Sequence, residues 1–319
     1  MWQEEQAASL RNEIDSLLEP LRQVAGLHRL VAQALADAEP YLGGQAADRP
    51  WALLPLIICE GICGHFEAAL PGAASIHLFK IAAEVFDDVE DADSSRSLAA
   101  VYGSAAATNA GTALLLLAEK AIARLRYRGV PDAAIVRILD VVNTHYTGAC
   151  AGQHLDLVPD VGALSEESHL SMVTMKSSSH VECACRIGAL VAGADDATVE
   201  AYSTFGRSLG VAVQISNDVQ GIESGVDVAK RKITLPVIYA LSNTDGPEAS
   251  QLSAWYRTCE SKLEPGHIRD LLIGRGATYY SRVKAEMFKG AALEALGKAN
   301  PSTATLTRLK MFLERPENA

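Results

Sequence analysis

Apolar residues in this chain recur at intervals of three and four, and no stretch alternates convincingly at two. A spacing of three and four lines residues along one face of an α-helix, whereas a half-buried strand needs a period of two. The pattern leaves helices as the building material. Ala and Leu dominate and both favour helix; only 6% of the 319 residues are aromatic although 49% are hydrophobic. The spacing predicts helices at about 5–19, 21–38, 50–64, 73–92, 97–128, 132–152, 166–193, 197–222, 235–243, 248–262, 266–297 and 302–315. Pro55 lies inside one of these patterns and predicts a kink there. Ile81–Phe86 and Ala113–Ala118 are apolar on more than one face, which suits the centre of a bundle. No low-complexity linker divides the chain, so residues 1–319 are expected to form a single all-helical domain, large enough to hold a core or a core around an apolar cavity.

Charge excludes some partners. A net charge of −11 opposes binding to nucleic acid or to an anionic membrane surface. It is compatible with a diphosphate if divalent cations bridge the two anions. The cysteines Cys59, Cys63, Cys150, Cys183, Cys185 and Cys259 form no CxxC pair, so a zinc site is not expected. Cys59 and Cys63, one turn apart in an apolar stretch, read as buried free thiols. The first ten residues, MWQEEQAASL, carry acids and no apolar run, so no signal peptide is expected. No uninterrupted apolar run approaches the roughly 20 residues of a membrane span. A cytoplasmic, non-membrane-spanning protein is the expectation.

The segment IHLFKIAAEVFDDVEDAD carries the chemistry. Asp87 and Asp91 are spaced i,i+4 and share a helix face, with Asp88 about 100° to one side. Carboxylates one turn apart repel unless cations neutralise them, and oxygen-only ligands suit Mg²⁺. A second centre lies in VQISNDVQGIESGVDVAKRKITLPVIYAL. There Gln214 and Asp218 share a face, Asn217 flanks them, and Glu223 and Asp227 precede the basic run Lys230, Arg231 and Lys232. Acids followed by bases suit an anion held through metals on one side and cations on the other.

These residues resemble the polyprenyl synthetase family, the trans-isoprenyl diphosphate synthases. Asp87-Asp88-Val89-Glu90-Asp91 matches the first aspartate-rich motif, DDxxD. Gly152-Gln153-His154-Leu155-Asp156-Leu157 resembles GQxxDL, and Lys176-Ser177 resembles its Lys-Thr pair. Gln214 to Asp218 resembles the QxxDD that opens the second aspartate-rich motif, and Lys232-Ile233-Thr234-Leu235-Pro236 matches KxTLP. The resemblance implies an all-α, isoprenoid-synthase-type bundle around a central cavity, working as a homodimer. It implies a Mg²⁺-dependent trans-prenyltransferase that ionises an allylic isoprenoid diphosphate and transfers the prenyl group. Asp87, Asp88, Asp91, Asn217 and Asp218 would hold the metal, about three Mg²⁺ ions in all. Lys176 and Lys232 would contact the diphosphate, with Gln153 and Gln214 supporting. The resemblance also places a chain-length pocket at Ala82, Ala83 and Phe86; two alanines before the first aspartate imply a prenyl chain of C15 or longer. Metals and lysines would stabilise the charge growing on the leaving group, and an apolar pocket would keep water from the cation.

Departures cluster where the family binds its second diphosphate. The family's GGKxxRP reads Gly43-Gly44-Gln45-Ala46-Ala47-Asp48-Arg49-Pro50, which keeps Arg49 and loses the lysine. Downstream of DDxxD one arginine survives as Arg96, followed by Ser97. Lys80 stands where a His or Gln is usual, and is a candidate substrate cation or an i,i+4 partner of Glu84. The last acid of the second motif is Gly221, with Asp227 and Glu223 both open as replacements. Such losses resemble divergent members that prenylate a non-isoprenoid acceptor. The alternatives are a class I terpene cyclase, whose NDxxSxxxE motif fails at Gly221 and Gly225, and a weakly catalytic regulatory subunit of a synthase.

Overall fold

A computed structural model describes residues 4–38, 50–91, 95–158, 164–257 and 263–314. Among these residues every regular element is helical: α1 (Glu4–Leu18), α2 (Ala25–Asp37), α3 (Leu54–Cys63), α4 (Leu70–Asp91), α5 (Leu98–Tyr102), α6 (Ser104–Ala123), α7 (Asp132–Leu157), α8 (Glu166–Val173), α9 (Ser179–Val191), α10 (Asp196–Ser224), α11 (Val226–Ala229), α12 (Leu235–Asn243), α13 (Gly246–Tyr256), α14 (Pro265–Gly274), α15 (Ala277–Ala299) and α16 (Thr303–Lys310). The all-α expectation holds.

The differences from the sequence pattern have local causes. The run expected over 97–128 is cut at Gly103, whose φ of 86° leaves the right-handed helix and separates α5 from α6. The run expected over 266–297 is cut at Gly276, φ 75°. Glycine adopts such angles without a Cβ penalty, and the apolar spacing on either side is unaffected. Pro55 does not kink a helix; it sits in the first turn of α3, where its missing N–H is harmless.

Two compact units divide the chain. The first comprises Met1–Asn143, Cys183–Ser203 and Lys298–Phe312; the second comprises Thr144–Glu182, Thr204–Gly297 and Leu313–Ala319.

In the first unit α4 packs along α6 and is buried continuously from Leu70 to Phe79. Close approach is built in: a Cβ at Gly111 of α6 would meet the Phe86 ring at 2.9 Å. In the same unit α16 docks on α3, with Arg308 bonded to Glu60 at 2.5 Å and Thr305 against Gly61. The segment Glu67–Asp91 is long and apolar enough to cross a membrane by composition, but 78% of its most apolar window is buried in the protein. That burial marks a core helix. Cys59 is buried as expected while Cys63 is exposed.

In the second unit, Ile222, Val228, Val237, Trp255, Ile268 and Leu272 form one core. Val173, Val211, Ile215, Leu235 and Ala285 form another.

Within α4 the His77 ring is buried at 2% exposure and its Nε2 has no hydrogen-bond partner. Burial, with Lys80 and Arg11 nearby, pushes its pKa down to about 3. The folded protein therefore holds His77 neutral, and stability is complete above the unfolded value near 6.5. It is lost as the pH falls below that value, because only the unfolded chain then takes up the proton. His77→Leu is expected to remove this acid sensitivity. In urea titrations the stability gap between variant and parent should widen by about 2 kcal/mol from pH 7 to pH 5. An unchanged gap would mean that His77 is not held neutral.

Candidate active site

The first acidic centre is the C-terminal end of α4. Lys80, Glu84, Asp87 and Asp91 follow one another at helical spacing, and Lys80 is ion-paired with Glu84. Asp87 and Asp88 are half-buried and Asp91 is exposed. A cleft of about 810 Å³ opens beside them. Its charged lining, among the described residues, is Asp37, Glu84, Asp87, Asp88 and the single cation Arg96. An anionic ligand entering this cleft needs added positive charge. Beside Arg96, Ser97 is buried and its Oγ accepts a bond from the Ala100 N–H at 3.2 Å, capping α5. Ala82 is fully buried in the first unit, Ala83 is exposed, and Phe86 is half-buried on Gly111.

The second centre belongs to the second unit. Asp218 is 5% exposed. Its Oδ1 accepts a bond from Gln214 Nε2 at 2.8 Å, as their i,i+4 spacing allows. Its Oδ2 has no hydrogen-bond partner. The nearest candidate, His169 Nε2, stands at 3.6 Å and is itself without a hydrogen bond; that distance is too long for one. A buried carboxylate oxygen without a donor costs several kcal/mol unless a cation answers it. This is the position a metal fits. Asn217, next in sequence, is exposed. Among the described residues no three carboxylate, imidazole or thiol groups already converge on one point. Mg²⁺ does not require that, because it keeps waters and takes phosphate oxygens.

Lys176 is presented by an unusual turn. Residues Thr174–Ser178 form one turn of π-helix between α8 and α9, a feature that recurs at functional sites. Two glycines let neighbouring helices press on it. A Cβ at Gly152 of α7 would lie 2.4 Å from the Lys176 backbone nitrogen, and one at Gly210 of α10 would lie 2.6 Å from Ser178 Cα. Lys176 Nζ is ion-paired with Asp156, one turn beyond Gly152 on α7. The glycine and the aspartate of the GQxxDL stretch therefore act together: one admits the turn and the other holds its lysine. Lys232 is exposed on the loop after α11.

A family model described as polyprenyl synthetase matches residues 52–271. The chain belongs to the polyprenyl synthetase family. Over 264 residues it is 32% identical to a geranylgeranyl diphosphate synthase of Mycobacterium tuberculosis, covering 78% of this chain and 73% of that protein. It is 28% identical to a geranylfarnesyl diphosphate synthase of Aeropyrum pernix, over 77% and 82% of the two chains. The crystal structure of a geranylgeranyl pyrophosphate synthetase from Pyrococcus horikoshii matches it at 26% identity with a TM-score of 0.82, covering 98% of this chain and 97% of that one. The fold is the all-α isoprenoid synthase fold, and the chain is a prenyltransferase with a prenyl diphosphate substrate. The polyprenyl synthetase family is generally Mg²⁺-dependent.

Against the family pattern, the structure brings Gln153, Lys176, Gln214, Asn217, Asp218 and Lys232 into the second unit, and Lys80, Asp87, Asp88, Asp91 and Arg96 into the first. Arg49 lies outside the described residues. Glu223 is committed to Arg282, with contacts of 2.8 and 2.9 Å, which leaves Asp227 beside Gly221. Sequence reasoning missed His169, whose isolated position carried no spacing signal. It also missed the reason for Gly210, which needs the π-turn to be seen.

An alanine in place of glycine within a helix normally stabilises by about 0.5–1 kcal/mol. At Gly152 and Gly210 the sign is expected to reverse. Each Gly→Ala variant should lose about 1–3 kcal/mol in chemical denaturation through overpacking. Gly148→Ala, which has open space around it, should not. Equal stabilities for all three variants would show that the π-turn is not pressed between the two helices.

Proposed function

We propose that this chain is a Mg²⁺-dependent isoprenyl diphosphate synthase that takes an allylic isoprenoid diphosphate and joins its prenyl group to an acceptor whose diphosphate it holds weakly. The observation that carries the reading is Asp218 Oδ2, a buried carboxylate oxygen without a hydrogen-bond donor, with the His169 imidazole at 3.6 Å beside it. In this reading Asp87, Asp88, Asp91, Asn217 and Asp218 hold the metal, about three ions of it. Bound Mg²⁺ supplies Lewis acidity, neutralising the diphosphate as it leaves. The chain's own groups do the rest. Lys176 and Lys232 add fixed positive charge where negative charge grows on the departing oxygens. Lys176 first exchanges its Asp156 partner for that oxygen, and the clamped π-turn limits what the exchange costs in side-chain and backbone freedom. Gln214 fixes Asp218 through its free oxygen's neighbour, and Gln153 is assigned to the substrate. Ala83, exposed beside Asp87, is the better candidate for a prenyl contact than the buried Ala82. The names of the relatives, geranylgeranyl and geranylfarnesyl diphosphate synthases, support elongation over cyclisation or a purely regulatory role. A cytoplasmic homodimer, each subunit a single functional domain, belongs to the same reading.

The natural acceptor on this view is isopentenyl diphosphate. One observation favours a second reading, an acceptor without a diphosphate: Ser97 stands at an arginine position and is spent on capping α5. Incubation with farnesyl diphosphate and Mg²⁺, with and without isopentenyl diphosphate, separates the two. A longer diphosphate formed with a high KM for isopentenyl diphosphate is the expected result. A hydrocarbon product would overturn the reading in favour of a cyclase, and no product would favour another acceptor. Asp87→Ala and Asp91→Ala are each expected to reduce turnover at least about a thousandfold with little change in Tm. Near-native turnover in either would remove the metal role.

A further inference from the structure

An apolar side chain would bury on α8 without penalty, yet position 169 holds a histidine at 6% exposure. Its Nε2 is buried and has no hydrogen bond among the described residues. A buried polar atom left unanswered costs about 1–3 kcal/mol. The chain carries two such atoms 3.6 Å apart, His169 Nε2 and Asp218 Oδ2. They could answer each other, and they are held just beyond hydrogen-bond length.

The packing of α8 and its π-turn on α10 sets that separation. Gly210 lies under Ser178, where a Cβ would come within 2.6 Å of Ser178 Cα. Further along, Val211 and Ile215 share a core with Val173. Beyond them Asp218 faces His169. Residue numbers rise on one helix as they fall on the other, so the two run antiparallel and one register fixes all three contacts. The start of α8 is anchored separately. Ser165 Oγ accepts from the Ser168 N–H at 3.0 Å. Glu166 pairs with Lys284 of α15 at 2.5 Å and accepts the Tyr280 hydroxyl, and Tyr280 stacks on Tyr239 of α12 at 4.2 Å. On the α10 side, Gln214 holds the other oxygen of Asp218 at 2.8 Å.

A carboxylate oxygen has two lone pairs. Asp218 Oδ2 can therefore face a cation with one and take an N–H with the other. Carboxylates that bind metals are themselves hydrogen-bonded to an outer partner, which fixes their direction. A shift of about half an ångström brings His169 Nε2 into that part.

We propose that His169 is a positioning residue for the second acidic centre: its Nε2–H donates to Asp218 Oδ2 once a cation occupies the other side of that oxygen, and so aims the carboxylate at the cation. The inference rests on the Mg²⁺-dependent reading given above and adds to it an imidazole that neither aspartate-rich motif contains. His169 and Lys176 lie on one continuous helical run, so α8 and its π-turn serve the metal side and the phosphate side of the ligand together.

The test uses the full chain and inorganic pyrophosphate as the probe, with binding measured by titration calorimetry at graded Mg²⁺ concentrations and no turnover required. His169→Phe keeps a buried ring and removes the N–H. It is expected to need about tenfold more Mg²⁺, or beyond, for half-maximal pyrophosphate binding. His169→Gln puts an amide N–H where the imidazole Nε2 stands and is expected to return to within about threefold of the parent. A role in packing alone would reverse that order, because phenylalanine fills the space better than glutamine. The proposal is overturned if His169→Phe keeps the parent's Mg²⁺ dependence, or if His169→Gln loses as much as His169→Phe. It is also overturned if His169→Phe binds pyrophosphate at lower Mg²⁺ than the parent, the sign of an imidazole that competes with the cation for Asp218. Should His169→Phe not fold, His169→Leu removes the same N–H with a smaller side chain and takes its place in each comparison. Failure of the underlying reading has a separate signature, pyrophosphate binding by the parent protein that is indifferent to Mg²⁺.

Discussion

Carboxylates taken out of water need an answering charge, and the three buried ones among the described residues are answered in different ways. Glu13 is bonded to Arg124 at 3.1 Å and Arg128 at 2.8 Å. Glu182 takes both arms of Arg207, at 2.8 and 2.6 Å. Each is a structural ion pair, closed by guanidinium groups that cannot lose their proton. Asp218 is buried at least as deeply, yet it has an amide on one oxygen and no donor on the other. The same chain that supplies arginines to Glu13 and Glu182 supplies none here. On the proposed function, that difference separates an acid that holds the fold together from one kept open for a ligand, with the Gln214 bond fixing its other oxygen.

Presentation of the cations depends on packing. Lys176 needs a defined place, and a π-turn gives it one by inserting an extra residue between α8 and α9. Such a turn survives only if the neighbouring backbones come close enough to hold it. Gly152 and Gly210 provide that closeness at the cost of helix propensity in two long helices. The loss is accepted at the positions where a methyl group would drive the π-turn away.

How much of this was legible in the sequence depends on the range of the physics involved. Helix formation follows from apolar spacing, and the acidic centres follow from i,i+4 carboxylates, so both were readable from short windows. DDVED and KITLP gave the family, and the comparisons agree. The breaks at Gly103 and Gly276 were hidden because the spacing continues across them while only one backbone angle changes. Pro55 was misread because the same residue that kinks a helix interior begins a helix at its first turn. Asp227 and Glu223 were equivalent on paper; Arg282, 59 residues from Glu223, holds the one, and the carboxylate of the other sits over Gly221. Information of that kind is tertiary, and no local window contains it.

The loss of cations on the acceptor side has a consequence for the order of events. Among the described residues four acids and one arginine line the cleft at the end of α4, and Ser97, at the position where the family pattern has a second arginine, is fixed as the cap of α5. Replacing that buried cap with a long cation would remove a helix-terminating bond of about 1 kcal/mol. The position is therefore committed to local structure. With the cleft acidic, a free acceptor diphosphate meets repulsion until divalent ions neutralise Asp87 and Asp88. Those ions arrive most favourably with the allylic diphosphate, which supplies oxygens that Mg²⁺ prefers to share. On the proposed function, metal and allylic substrate would therefore precede the acceptor, and the acceptor's affinity would be a property of the complex already formed, not of the free protein.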